Sequence, residues 1–271
     1  MKLGVLVNLT DKQVDEKIKQ VADYGFNHCQ LCGWNKELFT DEVAEMVLEA
    51  CKKYDVEIST FWCGWSGPQV WNFYEGPLTL GLVPTEYRYQ RCKELMEGSD
   101  FAKKLGVVNV ATHVGFLPET PNTEQYHAVV CAIRTVAQYC KDNGQYFLFE
   151  TGQETPVTLR RTIEDVGTGN LGINLDPANL ILYGKANPVD ALSVFGEYVR
   201  DVHAKDGCYP TDGKNLGAET PIGAGMVNFP AFVNKLKEVG YDGTLTIERE
   251  ISGEQQVKDI IESKKLLEEL I

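Results

Sequence analysis

Short runs rich in β-branched and aromatic residues alternate along this chain with longer segments whose apolar residues recur at helical spacing. The runs typical of strands lie near residues 3–8, 27–31, 56–62, 107–112, 145–150, 171–175, 199–204 and 243–248. The helical segments lie near residues 12–24, 40–54, 86–104, 123–142, 157–165, 188–196, 228–238 and 254–270. Strands that alternate with helices pair in parallel. The pattern therefore predicts an α/β protein with a parallel sheet.

The number of strand–helix units favours a closed sheet. Eight units in 271 residues fit a (β/α)8 barrel, which typically needs about 250 residues. An open doubly wound sheet usually places G-x-G-x-x-G after its first strand, whereas Asn8-Leu9-Thr10-Asp11 stands there in this chain. No Pro- or Ser-rich linker interrupts the alternation. We therefore predict a single TIM barrel domain over residues 1–271, with its chemistry at the carboxyl ends of the strands.

Residues that begin and end helices support these boundaries. Thr10-Asp11 and Thr40-Asp41 offer side-chain oxygens at two predicted helix starts. Gly25 and Gly240 lie between the end of a predicted helix and the start of the next predicted strand. A residue at this position often has the left-handed backbone conformation, which glycine adopts most readily. The sequence therefore predicts helix ends at these places.

Charge and composition exclude several classes of partner. The chain has 39 acidic and 26 basic residues, a formal net charge of −13, which disfavours nucleic acid and anionic membranes. The amino-terminal apolar run is too short for a signal peptide, and no stretch of 18 apolar residues occurs. We therefore expect a cytoplasmic protein. Its eight cysteines include Cys29 and Cys32 in a C-x-x-C with no second pair, so we expect buried free thiols.

Side chains that bind metal ions concentrate at the ends of the last four predicted strands. Glu150 ends strand 5, Asp176 strand 6, His203 strand 7 and Glu248 strand 8. Barrel closure brings these strands side by side, so the four side chains are expected to converge. Three carboxylates packed together repel one another, and a divalent cation resolves that repulsion. This oxygen-rich set suits Mn²⁺ first, or Mg²⁺, with Co²⁺, Zn²⁺ or Fe²⁺ as alternatives, and leaves positions for substrate.

Each of these residues also has an ordinary structural explanation. Asp176 could simply cap a following helix, and Glu150 could pair with a neighbouring Lys or Arg. His203 could be a hydrogen-bonded core residue, and Glu248 could belong to a solvated charge run. All four explanations would have to hold independently on four adjacent strands, so a shared metal site is the favoured interpretation.

Aromatic and polar residues in the loops after the strands suggest the substrate contacts. Tryptophan stacks on sugar faces, although clustered tryptophans also simply pack loops. The candidates for substrate contacts are Trp34, Trp62, His113, Gln153, Asn179 and Glu219. No glycine-rich phosphate cradle follows the last strands, and Lys205 and Lys214 are isolated, so a non-phosphorylated substrate is favoured. The amphipathic final helix packs on the barrel or forms a homo-oligomer contact.

Five short motifs, in this order and at these strand positions, resemble those of the xylose-isomerase-like barrels, a group of sugar and sugar-phosphate isomerases and epimerases. The motifs are Phe149-Glu150-Thr151, Asn174-Leu175-Asp176-Pro177-Ala178-Asn179-Leu180, Val202-His203-Ala204-Lys205-Asp206, Pro221-Ile222-Gly223-Ala224-Gly225 and Ile247-Glu248. The resemblance covers essentially the whole chain. By likeness to ketose 3-epimerases of this group, Glu150 and Glu248 bind the metal and move protons, and Asp176 and His203 complete the coordination.

The chain departs from the family pattern at three places. Asn179 replaces a His that many relatives carry, and Glu219 stands where the epimerases have an Arg and the related DNA-repair endonucleases a zinc-binding His. Trp62 and Cys63 end strand 3, where those endonucleases supply another His. A three-zinc cluster therefore lacks ligands, and DNA repair is excluded.

The resemblance and the strand-end residues together favour metal-dependent proton transfer on a ketose or keto-polyol, which is an isomerase or epimerase reaction of carbohydrate metabolism. The first alternative is a dehydratase or lyase acting on a keto-sugar or keto-inositol through the same enediolate. The second is a barrel that binds a ligand without catalysis.

Overall fold

The computed structural model describes residues 1–271. Ten strands are present: β1 Lys2–Asn8, β2 His28–Gly33, β3 Glu57–Cys63, β4 Asn109–Thr112, β5 Tyr146–Glu150, β6 Leu171–Leu175, β7 Val199–Ala204, β8 Asp206–Gly207, β9 Glu219–Thr220 and β10 Thr244–Ile247. Eight of them form a closed parallel barrel in the order β1-β10-β7-β6-β5-β4-β3-β2, while β8 and β9 form a short antiparallel ribbon. The predicted (β/α)8 barrel is confirmed.

Ten α-helices surround or cap the barrel: α1 Val14–Asp23, α2 Asp41–Tyr54, α3 Gly76–Thr79, α4 Thr85–Lys104, α5 Glu124–Asp142, α6 Pro156–Val166, α7 Pro177–Leu182, α8 Pro188–Phe195, α9 Phe229–Glu238 and α10 Glu254–Glu268. Two of them, α3 and α7, are not predicted by the helical periodicity, because four and six residues are too short to show it. None of the helices is long and apolar enough to cross a membrane.

Local signals account for most helix boundaries. The Thr40 side chain accepts a hydrogen bond from the Val43 backbone N–H at 3.2 Å, so the predicted cap of α2 is confirmed. The prediction for Thr10-Asp11 is wrong, because Gln13 precedes α1 and its side chain makes no capping bond. The Asp11 carboxylate accepts a hydrogen bond from the Gln13 N–H, which lies before the first residue of the helix. Gly25 and Gly240 have φ of 77° and 81°, as expected.

The apolar core lies mainly between the strands and the ring of helices, where 63 buried residues form one cluster. A second cluster of four, Cys32, Trp62, Ala111 and Leu148, lies on the strands inside the barrel. All eight cysteines are free, as predicted. Burial holds for Cys29, Cys32, Cys63 and Cys140, whereas Cys51, Cys92 and Cys208 are half-buried and Cys131 is exposed on α5. The barrel thus supplies a rigid support whose strands β5, β6, β7 and β10 are contiguous.

Candidate metal and substrate site

Four side chains at the carboxyl ends of the contiguous strands form a buried cluster, here called the candidate metal centre. Glu150 is the last residue of β5, Asp176 directly follows β6, His203 lies near the end of β7, and Glu248 directly follows β10. One potential ligand atom from each residue lies within 4.8 Å of the others. The His203 Nδ1 is 3.2 Å from Glu150 Oε1 and 3.2 Å from Glu248 Oε2. The structure therefore brings together the four residues that the strand ends predicted.

Asp176 caps a helix with one carboxylate oxygen and directs the other toward the cluster. Its Oδ1 accepts a hydrogen bond from the Asn179 N–H at 2.9 Å and so caps α7. Its Oδ2 is buried, has no hydrogen-bond partner and lies 3.8 Å from His203 Nδ1. Because α7 begins immediately after β6, capping holds the carboxylate with one oxygen directed at the cluster.

The ring of His203 is held in one orientation from behind. Its Nε2 lies 2.5 Å from the Oε1 of Gln30, and the Nε2 of Gln30 donates at 3.3 Å to both Asn174 Oδ1 and Asp201 Oδ2. The nearer partner, the Gln30 oxygen, accepts from the His203 Nε2–H, and the Asn174 Nδ2 lies 3.1 Å from the same ring nitrogen. Burial lowers the pKa of His203, but Glu248 and Glu150 outweigh this effect and raise the pKa well above its ordinary value. The Nδ1 therefore faces the carboxylates as a protonated nitrogen, and it would release that proton to bind a cation.

Glu150 is enclosed by donors on the aromatic side of the barrel. The Trp62 indole N–H donates to its Oε2, the Asn179 amide donates to Oε1 at 3.2 Å, and His113 Nε2 lies 3.4 Å from Oε1. Burial raises the pKa of Glu150, but His113 and His203 outweigh this effect and leave the pKa below its ordinary value. Glu150 is therefore a carboxylate at neutral pH.

Glu248 faces a buried lysine. The Lys205 Nζ lies 3.1 Å from Glu248 Oε2, 3.7 Å from Asp176 Oδ2 and 3.0 Å from Glu250 Oε2. Burial raises the pKa of Glu248, but Lys205 and His203 together lower it well below its ordinary value. Burial also raises the pKa of Asp176, and here the cations only partly offset it. Asp176 is therefore the only one of the three carboxyls whose pKa lies above its ordinary value.

These residues fit a divalent cation. The Asp176 Oδ2 and the His203 Nδ1 are buried without hydrogen-bond partners, and both are directed toward Glu150 and Glu248. Orphaned polar atoms inside a protein are costly unless a ligand satisfies them. Three carboxylate oxygens and one imidazole nitrogen form a hard donor set.

A cavity of about 510 Å³ opens above the cluster. Glu150, His203 and Glu248 line its floor, whereas Asp176 is fully buried and does not. Four of the predicted substrate residues also line this cavity: Trp34, Trp62, His113 and Asn179. On the opposite wall lie Lys205, Arg249, Glu250 and Gln256.

Two predicted substrate residues do not line the cavity. Gln153 is buried and donates to the Tyr183 hydroxyl at 3.0 Å, so it supports a wall residue from behind. Glu219 lies 3.0 Å from the guanidinium of Arg249 and accepts from the Glu250 N–H at 3.0 Å. It therefore holds the segment that follows Glu248 in place. The structure does not bring either side chain together with the other candidates.

Sequence reasoning missed Lys205, Gln30 and Trp71 as site residues. The sequence predicts Lys205 to be isolated, but this lysine follows His203 by two positions, and alternate residues of a strand point to the same side. Gln30 is a polar residue between the apolar residues Cys29 and Leu31 of strand β2, which is a comparable signal. Trp71 begins an aromatic run in the long loop after β3, and its position in the cavity depends on how that loop folds.

A closed (β/α)8 barrel with a carboxylate-rich cluster on four neighbouring strand ends defines a TIM barrel protein with a candidate metal centre. The chain belongs to the xylose isomerase-like TIM barrel family, whose sequence model matches residues 18–270. The resemblance seen in the motifs is thereby confirmed.

Solved structures agree with this membership. A xylose isomerase domain protein from Planctomyces limnophilus is 34% identical, with a TM-score of 0.93 over 99% of this chain and 96% of that one. The 3-keto-D-glucoside 4-epimerase YcjR from E. coli is 17% identical, with a TM-score of 0.75 over 99% of both chains. A Mycobacterium smegmatis protein of this fold in complex with magnesium is 17% identical, with a TM-score of 0.70 over 100% and 97%.

Proposed function

We propose that this protein is a divalent-metal-dependent isomerase or epimerase that moves a proton on a neutral ketose or keto-polyol. One observation carries the proposal: of the three carboxylates in the candidate metal centre, the two glutamates line the cavity and the aspartate does not. Glu150 and Glu248 come from β5 and β10, which are separated in the barrel by β6 and β7. Two carboxylates therefore approach a bound substrate from different directions.

The residues suit a two-base proton transfer. One glutamate removes the proton from the carbon next to the carbonyl, and the electron pair of the broken C–H bond moves into an enediolate. The other glutamate takes a proton from water in the open cavity and delivers it to the opposite face of that carbon, which inverts it, and the first glutamate then releases its proton to water. A bound Mn²⁺ or Mg²⁺, held by Glu150, Asp176, His203 and Glu248, would supply Lewis-acid stabilisation of the negative charge.

Neighbouring groups tune the two glutamates differently. Glu150 accepts from the Trp62 N–H and the Asn179 amide, which fix its orientation. Glu248 contacts the Lys205 ammonium at 3.1 Å. Trp62, His113 and Asn179 are at the cavity floor, where they would contact the hydroxyls or the ring of the sugar. Similarity to sugar epimerases and to a magnesium-bound protein of the same fold supports both the substrate class and the metal.

Solvent deuterium exchange tests the proposal. The Mn²⁺-loaded protein is incubated in D₂O with a panel of ketoses, and deuterium at the carbon next to the carbonyl is followed by NMR and mass spectrometry. Wild type and the exposed-site control Glu97→Gln should exchange, whereas Glu150→Gln and Glu248→Gln should lose at least about 100-fold in rate, a typical contribution of a general base.

The products separate the proposed reaction from elimination. An isomer or epimer has the same mass as its substrate apart from the deuterium. Loss of water with new ultraviolet absorbance would contradict isomerisation and indicate a dehydratase. Exchange that persists in both glutamine variants would contradict the assigned bases.

A further inference from the structure

We infer that the outer half of the cavity is a second sugar subsite, so that the substrate is a neutral ketose bearing a further ring through a glycosidic bond. This inference rests on the proposed function and specifies its substrate class. It is carried by Trp34 and Trp71, here called the outer tryptophans, which line the cavity and are each 38% exposed.

The aromatic wall has two layers counted outward from Glu150. Trp62 and His113 form the inner layer, since both contact Glu150 directly, and they are only 4% and 6% exposed. The outer tryptophans form the next layer: the ring centroids of Trp34 and Trp62 are 5.0 Å apart, and those of Trp71 and His113 are 5.2 Å apart. A single ring bound at the floor faces the inner layer. A second ring is needed to cover the outer one.

The outer tryptophans are held in place from behind. Trp65 is 2% exposed, lies outside the cavity lining and packs against both, at centroid distances of 5.5 Å and 6.5 Å. Trp34 lies so close over Gly64 that a Cβ there would come within 2.4 Å of its ring. Trp65 therefore performs the packing role expected of a loop tryptophan, while the outer pair keeps a preformed face for a ligand.

Charge on the opposite wall selects a neutral ligand. The Arg249 guanidinium is already paired with Glu219 at 3.0 Å and with Asp259 at 2.7 Å. The Lys205 ammonium is paired with Glu248 and Glu250. Both cations of this wall are already paired with carboxylates, which disfavours a phosphate or a carboxylate ligand, whereas sugar hydroxyls can bind the carboxylate of Glu250 and the amide of Gln256. The apolar face of a sugar ring then stacks on tryptophan.

Calorimetric titration of the Mn²⁺-loaded protein tests the subsite. The probes are D-fructose and three glucosyl-fructoses that keep a free ketose, namely turanose, maltulose and isomaltulose. We expect at least one disaccharide to bind about tenfold more tightly than fructose, the effect of one well-formed aromatic contact. Trp34→Ala and Trp71→Ala should each reduce that ratio at least about threefold and leave the affinity for fructose within about twofold.

Two further variants serve as controls. Trp71→Phe should restore most of the disaccharide preference because it keeps a ring, and Tyr74→Ala, which removes a 67% exposed aromatic outside the cavity lining, should leave the preference unchanged. Equal binding of fructose and all three disaccharides, no binding of any of them, or a preference that survives both tryptophan variants would overturn the inference. Deuterium exchange with free ketoses remains a separate test, so a subsite that fails does not remove the proposed reaction.

Discussion

Gln30 determines which nitrogen of His203 faces the carboxylates, because its Oε1 lies 2.5 Å from the Nε2 of the ring. We predict that Gln30→Met weakens Mn²⁺ binding by roughly 10–100-fold, the usual cost of losing the partner of a metal-binding histidine. Isothermal titration with Mn²⁺ measures this. Gln145→Met is the matched control, since Gln145 is equally buried but bonds Ser99 and backbone carbonyls. Equal Mn²⁺ affinity in the Gln30 variant and wild type would contradict the role.

The burial of Glu154 should make the free energy of unfolding of the protein depend on pH. It is fully buried, both carboxyl oxygens lack partners, and burial raises its pKa from 4.5 to about 8. Between pH 4.5 and about pH 8, Glu154 is ionised in the unfolded chain and protonated in the folded chain. The free energy of unfolding of the wild type therefore falls by up to about 1.4 kcal/mol per pH unit as the pH rises. Above about pH 8 both states are ionised, and the loss stops.

We therefore expect Glu154→Gln to remove this slope. Urea midpoints of wild type and variant should converge near pH 4.5 and separate steadily up to pH 8, with the variant the more stable protein. Glu164→Gln, at an exposed position of α6, should follow the wild type at every pH. A constant difference between wild type and Glu154→Gln across this range would show that Glu154 is ionised in the fold.

Single residues also show where sequence reasoning reaches its limit. Strand position was enough to bring Glu150 and Glu248 together, because parallel strands end at the same rim. It is not enough for Gln153, which lies in a loop, or for Glu219, which lies in the short ribbon strand β9, because hydrogen bonds turn both side chains away from the cavity. A loop residue's direction depends on contacts between distant segments, which no local pattern contains.

At the scale of elements, the long segment between β3 and α4 is fastened by one buried arginine. The Arg91 guanidinium donates to the backbone carbonyls of Ser66, Pro68, Thr79 and Gly81 at 2.7–3.1 Å. Its carbon lies 4.0 Å from the centre of the Trp65 ring. Burial lowers the pKa of Arg91 to about 10, so it remains a cation at neutral pH. This arginine thereby positions the loop that carries Trp71.

Arg91→Met should destabilise the protein by about 3 kcal/mol or more, because it leaves several buried carbonyls without donors. Hydrogen exchange followed by mass spectrometry should show the largest loss of protection in residues 66–81, with β5 to β7 losing no more than the drop in global stability. Lys93→Met, on the exposed face of the same helix, should change neither stability nor exchange. Protection lost evenly over the whole chain would mean that Arg91 supports the core rather than this loop.

The elements themselves were largely predictable, and the exceptions have physical reasons. Predicted strand 107–112 begins only at Asn109, since the Val107 N–H closes the last turn of α4 on the Ala102 carbonyl. Helix α7 was missed because it follows β6 without a loop: Asp176 caps it and Pro177 begins it. The short apolar sequence of α7 is equally compatible with a continuation of the buried strand β6.

For the whole molecule, closure of the barrel followed from the count of strand–helix units, and the strand order confirms it. The position of the candidate metal centre follows from closure, because β5, β6, β7 and β10 become neighbours only in that order. The four side chains span residues 150–248 and connect strands distant in sequence. A cation bound there would therefore stabilise the carboxyl-terminal half of the barrel as a unit.

Metal removal should consequently lower the melting temperature of the entire protein. A ligand at 100 times its Kd stabilises the folded state by about 2.7 kcal/mol, which for a chain of this size corresponds to roughly 5–10 °C. We expect this difference between Mn²⁺-saturated and chelator-treated protein by calorimetry. In Asp176→Asn the difference should shrink to about 2 °C or less, because the buried oxygen without a partner is lost. Identical melting of the saturated and chelated wild type would show that Lys205 and His203 alone balance the carboxylates, and that the cluster holds no ion.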